Sequence, residues 1–160
     1  MIKNNFNIEQ FLDLSGYSKT RQERRKGSGG TQEFFTPYSI VKRMADKISE
    51  EDWLNPNKTF CEPSFGNGQF IIYIIWNRLQ YGIDWKTALE TCYGVELMQD
   101  NVYETHGRVI KLFDELGIDY DEDIAMDIML RNLVCYDFFT WNFEEWRPYT
   151  NEELNKSKKK

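Results

Sequence analysis

Stretches in which apolar residues recur every three or four positions alternate along this chain with short, continuous apolar runs. The first pattern predicts helices, and the second predicts strands that are covered on both faces. Helices are predicted at about residues 6–14, 38–49, 69–81, 85–91, 101–116 and 124–130, and strands at 59–62, 93–97 and 132–136. Strands that are separated by helices indicate right-handed crossovers and a parallel sheet. The chain is therefore predicted to be α/β, three-layered and Rossmann-like, with helices on both faces of the sheet.

Helix ends are marked by capping residues. Thr36 is predicted as an N-cap with Pro37 at the first helical position, where the missing N–H costs nothing. Gly82 and Gly117 are predicted to end the helices that precede them. Three glycines within residues 27–30 predict a flexible loop, which serves equally well as a plain solvated linker.

An acidic residue stands at the carboxyl end of each predicted strand: Glu62, Glu96 and Asp137. We expect the three strands to lie side by side and parallel, with the Glu62 strand at one edge of the trio. Ligands of open α/β sheets bind at the carboxyl ends of the strands. The three acids therefore predict a binding site at that edge, although plain exposed strand ends are the alternative.

The turn after Glu62 predicts a close approach to a ligand. Gly66 and Gly68 leave room beside the backbone, and the following helix offers free N–H groups. Glu62 would repel a phosphate but suits an ammonium group, and the glycine spacing fits neither a dinucleotide fingerprint nor a P-loop. Glu96 is placed to accept hydrogen bonds from both hydroxyls of a ribose. A plain strand-to-helix turn is the alternative.

The third strand end carries a second pair of candidate residues. Asp137 is predicted to accept from an adenine amino group, and Phe138 to pack on the ring face.

Composition predicts one compact domain. Of the 160 residues, 41% are hydrophobic and 16% aromatic, which is enough for a sizeable core. The formal net charge of −6 disfavours a protein that coats nucleic acid non-specifically. Positive charges cluster in residues 19–26, which hold five Lys and Arg, and in the lysine-rich residues 156–160, which hold four. We expect any contact with DNA phosphates there, through Arg21, Arg24, Arg25 and Lys26, although solubilising termini are the alternative.

Several classes of chemistry are disfavoured. Three dispersed cysteines and a single histidine predict no disulfide framework, no metal site and no Ser-His-Asp triad. No apolar run is long enough for a membrane span, and the first residues do not look like a signal peptide. We therefore expect a cytoplasmic protein, either of the cell itself or of the host if the source is viral.

Four segments together resemble a known family. Phe34-Phe35-Thr36-Pro37, residues 62–68, Gly94-Val95-Glu96 and Asp137-Phe138 look like the S-adenosylmethionine-binding motifs of adenine-specific DNA methyltransferases. The closest likeness is to modification enzymes of restriction systems and phages that begin with a Phe-Thr-Pro helix, and it spans roughly residues 32–138. The resemblance implies a class I methyltransferase fold, S-adenosylmethionine as cofactor and methyl transfer to the exocyclic amine of adenine in DNA.

The resemblance also assigns cofactor contacts. Thr36 and Pro37 would line the methionine end, Glu62 would face the ammonium group, the glycine turn would pass beneath it, and Glu96 would hold the ribose. The full set of implied cofactor residues is Phe35, Thr36, Pro37, Glu62, Pro63, Ser64, Gly66, Asn67, Gly68, Glu96, Leu97, Asp137 and Phe138.

The sequence departs from the family at the catalytic motif. The family carries Asn/Asp-Pro-Pro-Tyr/Phe after the next strand, whereas the four prolines here are isolated and nothing of the kind follows Asp137. The catalytic residues are therefore unassigned. The alternatives are a non-catalytic module that binds the cofactor and partners another chain or sequesters the cofactor, and a methyltransferase of another small substrate.

The resemblance and the element order together give a domain plan. Residues 1–30 are predicted as an N-terminal helix with a basic flexible loop, 31–150 as the cofactor-binding α/β domain and 151–160 as a lysine-rich tail. We expect a sheet that is truncated relative to the seven strands of the family. The aromatic-rich segment 138–149 or a second subunit, as in a homodimer or a complex with a separate catalytic or recognition chain, would then cover the third strand.

Overall fold

The computed structural model describes residues 5–14 and 36–157. The α-helices are α1 (Ile8–Leu14), α2 (Tyr38–Ala45), α3 (Glu50–Leu54), α4 (Gln69–Gln80), α5 (Trp85–Glu90), α6 (Gln99–Leu116), α7 (Glu122–Asn132) and α8 (Asn151–Ser157). The strands are β1 (Phe60–Glu62), β2 (Cys92–Glu96), β3 (Leu133–Cys135), β4 (Trp141–Asn142) and β5 (Arg147–Pro148), and a short 3₁₀ helix spans Phe138–Thr140.

The main sheet is parallel and has the order β1-β2-β3. Two helices connect each pair of strands, namely α4 and α5 between β1 and β2, and α6 and α7 between β2 and β3. The predicted parallel α/β arrangement with flanking helices is confirmed, and so is the place of the Glu62 strand at one edge of the three. The carboxyl ends of the strands therefore share one edge of the sheet.

Pleat alternation separates the two faces of the sheet. Phe60, Cys92 and Leu133 belong to one buried cluster with the apolar side chains of the helices. Successive residues of a strand point to opposite faces, so Tyr93 points away from that cluster. The ring of Tyr93 contacts Trp146 at a centroid distance of 4.8 Å. An aromatic hairpin thus contacts this face at Tyr93, where the sequence predicted a second layer of helices.

The predicted helix at 38–49 ends early, and a short helix that the sequence did not predict, α3, follows it. The first, α2, ends at Ala45, and the Ser49 side chain accepts a hydrogen bond from Asp52 N at 3.1 Å and so caps α3. Pro37, not Thr36, occupies the N-cap position of α2, with φ −66° and ψ 155°. The fixed φ of proline suits both extended and helical backbone, so the helix begins one residue later than predicted.

Residues after β3 form structure that the sequence did not predict. Strands β4 and β5 form an antiparallel hairpin, and within the described residues β3 pairs with β2 and not with this hairpin. Trp146 Nε1 donates to Arg131 O at 2.7 Å, which fixes the hairpin beside α7. Arg147 pairs with Glu153 of α8 at 3.0 Å, within the segment predicted as a lysine-rich tail. The aromatic segment therefore contacts a face of the sheet and does not extend its edge.

Candidate functional site

The carboxyl edge of the sheet brings the three predicted acids together. Glu62 ends β1, Glu96 ends β2, and Asp137 follows β3 by two residues. Glu62 is in register with Gly94, and Glu96 is in register with Cys135. The loop after β1 therefore runs alongside the last residues of β2, which places the glycine turn against Glu96.

The glycine turn (residues 65–68) depends on two left-handed residues. Gly66 has φ +53°. Gly68, which occupies the N-cap position of α4, has φ +89°. Gly68 N donates to Phe65 O at 2.8 Å and closes the turn. A Cβ on Gly66 would meet no atom within 4 Å, whereas a Cβ on Gly68 would stand 2.5 Å from Thr105 Cγ2. Gly66 therefore faces open space, and Gly68 packs against α6.

Glu96 holds this turn from the neighbouring strand. Its side chain is 7% exposed, Oε2 accepts from Gly66 N at 2.8 Å, and Oε1 accepts from Met98 N at 2.9 Å. The sequence predicted a contact with a ribose and did not predict this support of the turn. A carboxylate offers about four acceptor positions. Asn101 Nδ2 also donates to Oε1 at 3.5 Å, so about one position is left to accept from a hydroxyl group of a ligand.

Glu62 presents a carboxyl group at the end of β1. The side chain is half-buried, and Ser64 N donates to its Oε1 at 3.3 Å. Burial raises the pKa of the Glu62 carboxyl, because desolvation outweighs the hydrogen bond from Ser64. A cationic group beside Glu62 would offset that desolvation. Pro63 and Ser64 themselves are exposed in the turn that follows β1.

Asp137 and Phe138 lie at the third strand end, as predicted. Asp137 is exposed, and its Oδ1 accepts from Phe139 N at 2.9 Å at the start of the 3₁₀ helix. Phe138 packs against Phe143 at a centroid distance of 5.3 Å and is 44% exposed. Leu97, the predicted cofactor residue that follows Glu96, is 62% exposed. Apolar surface therefore adjoins the acids, which suits a flat ring that carries a polar group.

Thr36 lies beside the first residue of α4, next to the same site. Gln69, the first residue of α4, donates from Nε2 to Thr36 O at 3.0 Å. Thr36 and Pro37 thus lie beside the glycine turn. Phe35 lies outside the described residues, as do Arg21, Arg24, Arg25 and Lys26, the predicted DNA contacts.

Sequence reasoning missed a polar face of α6 behind the turn. Thr105 Oγ1 donates to Asn101 O at 2.9 Å and lies 3.4 Å from Gly66 O. Arg108, which is 3% exposed, donates to Asn67 O at 2.7 Å and to Gln69 Oε1 at 2.8 Å. Residues 101, 105 and 108 are polar and stand four and three positions apart, so they share one face of the helix. That spacing was the sequence signal from which this polar face could have been predicted.

The described residues contain no candidate metal centre and no candidate membrane span. In ranges 5–14 and 36–157, no cluster of three or more His, Cys, Asp or Glu side chains is arranged to hold a metal ion. No helix in the same ranges is long and apolar enough to cross a membrane.

Comparison with known proteins gives no relative: no protein-family model, no curated protein and no solved structure matches this chain. The interpretation of the site therefore depends on its own residues.

The single histidine, His106, lies behind the site and makes stability depend on pH. Its Nε2 lies 3.1 Å from Leu133 O, so this nitrogen is the donor, and Nδ1 is buried without a partner in the described structure. Burial lowers the pKa of His106 below 6.5. Below about pH 6.5, His106 therefore binds a proton more readily in the unfolded chain than in the folded chain. The free energy of unfolding should therefore fall as pH drops below about 6.5 and be regained above it.

We expect His106→Gln, which keeps a side-chain donor near Leu133 O but cannot be protonated, to lack this component. Urea unfolding of both proteins at pH 7 and pH 5 measures it, because the difference between them removes the shared contribution of the carboxylates. Between pH 7 and pH 5 the parent should lose more stability than the variant. Equal losses in the two proteins would contradict the role given to His106.

Proposed function

We propose that this chain binds S-adenosylmethionine at the carboxyl edge of its sheet, as the cofactor-binding part of a methyltransferase of the DNA-adenine type. The observation that carries the proposal is the glycine turn held by Glu96, with Glu62 and Asp137 at the neighbouring strand ends. S-adenosylmethionine combines an ammonium and a sulfonium cation with a ribose and an adenine. This set of groups matches an acidic edge with exposed apolar side chains.

Each end of the cofactor has a candidate partner. Glu62 would bind the ammonium group, and Thr36 and Pro37 would line the methionine end. Glu96 would accept from a ribose hydroxyl group. At the other end, Asp137 would accept from the adenine amino group while Phe138 and Leu97 cover the ring. The acids also disfavour a phosphate-bearing ligand, because they would repel it.

The sheet supports the same proposal. Three parallel strands in the order β1-β2-β3, with a glycine turn after β1 and an acid after β2, fit the first half of a class I methyltransferase. In such an enzyme a target adenine is flipped out of the duplex. When bound here, the cofactor would supply an activated methyl group for transfer to that amine, and Glu62, Glu96 and Asp137 would hold it in place.

A module that binds the cofactor without transferring its methyl group is the second candidate. The four prolines stand at positions 37, 56, 63 and 148, so the sequence holds no Asn/Asp-Pro-Pro motif to grip a target amine. Such a module would partner a catalytic chain or sequester the cofactor. A methyltransferase of another small substrate is a further form of the same proposal.

Asp137→Ala tests the adenine end of the site. We expect S-adenosylmethionine affinity to fall about tenfold, because one hydrogen bond to a charged group is worth about 1.5–3 kcal/mol. Asp84→Ala is the matched control. Asp84 also caps a helix by accepting from backbone N–H groups, among them that of Thr87 at 3.0 Å, but it lies beyond the far end of α4. Calorimetric titration should show a loss of affinity for the first variant and not for the second.

Equal affinities of the two variants would contradict the adenine assignment. A methylation assay with labelled cofactor and duplex DNA then separates the two candidate functions. Label in the DNA supports transfer by this chain, whereas cofactor binding without label supports the module.

A further inference from the structure

Arg108 connects three separate segments behind the glycine turn. One nitrogen, Nη1, donates to Asn67 O at 2.7 Å, inside the turn. The other, Nη2, donates to Gln69 Oε1 at 2.8 Å and to Leu12 O at 3.3 Å, in the last turn of α1. The guanidinium also stands 6.0 Å from the ring centroid of Phe11. One side chain of α6 therefore joins the turn, the start of α4 and α1.

The same network reaches the segment before α2. Gln69 accepts from Arg108 at Oε1 and donates from Nε2 to Thr36 O at 3.0 Å. The last turn of α1 and the segment that enters α2 are therefore both hydrogen-bonded to the Arg108–Gln69 pair. In α1, Ile8, Phe11 and Leu12 are buried, so the helix is docked by packing as well as by this hydrogen bond.

We propose that Arg108 is a positioning residue that holds the glycine turn in its ligand-binding conformation and couples it to the docking of α1. The guanidinium is planar, and its fixed fork of donors can serve several acceptors at once. A lysine at this position keeps the charge but presents a single nitrogen. The turn and α1 would then lose their shared support.

Coupling between two sites is reciprocal. A ligand that stabilises the turn must therefore stabilise docked α1, and undocking of α1 must weaken the ligand. This part rests on the proposed function, because the ligand is S-adenosylmethionine. The effect of Arg108 on the ligand-free turn does not rest on it.

Arg78 provides a matched control. Like Arg108 it is a buried arginine, donates to a backbone carbonyl, Lys58 O, at 3.1 Å, and lies 5.2 Å from the ring centroid of Phe60. Its contacts lie near the amino end of β1, away from the glycine turn. Arg108→Lys and Arg78→Lys thus remove the same kind of buried fork at the two ends of α4.

Amide hydrogen exchange of the ligand-free proteins gives the first measurement. We expect Arg108→Lys to speed exchange at residues 66–69 and in α1 at least tenfold relative to the β2 amides. Arg78→Lys should leave that ratio within about twofold of the parent. Gln69→Leu, which removes one acceptor but keeps Asn67 O, should act in the same direction as Arg108→Lys and is the substitute if the latter does not fold. Equal effects of the two arginine variants would overturn the proposal.

The second measurement adds S-adenosylmethionine. We expect the cofactor to slow exchange in α1 of the parent, and Arg108→Lys to bind it at least tenfold more weakly, whereas Arg78→Lys should bind within about twofold of the parent. A parent protein that binds the cofactor without any change in α1 would overturn the coupling. A parent that does not bind it would overturn the proposed function and the coupling to this cofactor, while the ligand-free comparison still decides the positioning role.

Discussion

Glu96→Ala is expected to abolish measurable S-adenosylmethionine binding and to destabilise the fold as well. The carboxylate accepts from Gly66 N at 2.8 Å and from Met98 N at 2.9 Å, so its removal frees both the glycine turn and the residue before α6. Hydrogen bonds to charged groups contribute about 1.5–3 kcal/mol each. The free energy of unfolding should thus fall by about 3 kcal/mol, and affinity by at least about a hundredfold, since ribose contacts are lost too.

Glu96→Gln separates the two effects. The amide oxygen can still accept from one of the two N–H groups, but its NH₂ group faces the other as donor against donor. We expect an intermediate loss of stability and a clear loss of affinity. Urea unfolding and calorimetric titration of the parent and both variants give the two quantities. Full cofactor affinity in the folded alanine variant would contradict the role assigned to Glu96.

Gly68→Ala is expected to cost about 3 kcal/mol of stability, from backbone strain and overpacking that each cost about 1–3 kcal/mol. The backbone has φ +89°, and a Cβ would stand 2.5 Å from Thr105 Cγ2 and 2.8 Å from its Oγ1. Because Thr105 belongs to α6, relief would require the turn or the helix to move. Thermal and urea unfolding measure this loss.

Gly66→Ala is the control for Gly68→Ala. Gly66 has φ +53°, and a Cβ there would meet nothing within 4 Å. We expect only the cost of a left-handed residue, about 1 kcal/mol. The added methyl group would, however, project into the space through which a ligand approaches, so affinity should fall more than stability. Similar losses of stability in the two variants would show that Gly68 is not packed against α6 as described.

The strands and their acidic ends could be predicted because local patterns determine them. Short apolar runs between helical periods gave the three parallel strands, and parallel strands necessarily bring Glu62, Glu96 and Asp137 to one edge. The prediction that a glycine turn follows β1 is confirmed for a similar reason, because left-handed backbone at Gly66 and Gly68 favours residues without a side chain.

Other features depend on contacts between distant segments and could not be read locally. That Glu96 supports the turn follows from the register of β1 on β2, which the sequence does not display. Arg108 reaches Leu12 across 96 residues. The hairpin is fixed by tertiary contacts of Trp146 with Arg131 and Tyr93. The start of α2 differs by one residue because Pro37 took the N-cap position, and Ser49 caps the separate helix α3.

The central claim is that the carboxyl edge of this sheet binds S-adenosylmethionine, and calorimetric titration of the unmodified protein with that cofactor tests it most directly. S-adenosylhomocysteine, which lacks the sulfonium charge, and ATP, which adds phosphates, serve as comparison ligands in the same buffer. We predict one saturable site per chain for both adenosyl ligands and none for ATP, because the acidic edge repels its phosphates. A folded protein that binds neither adenosyl ligand, or that binds ATP equally well, would contradict the claim.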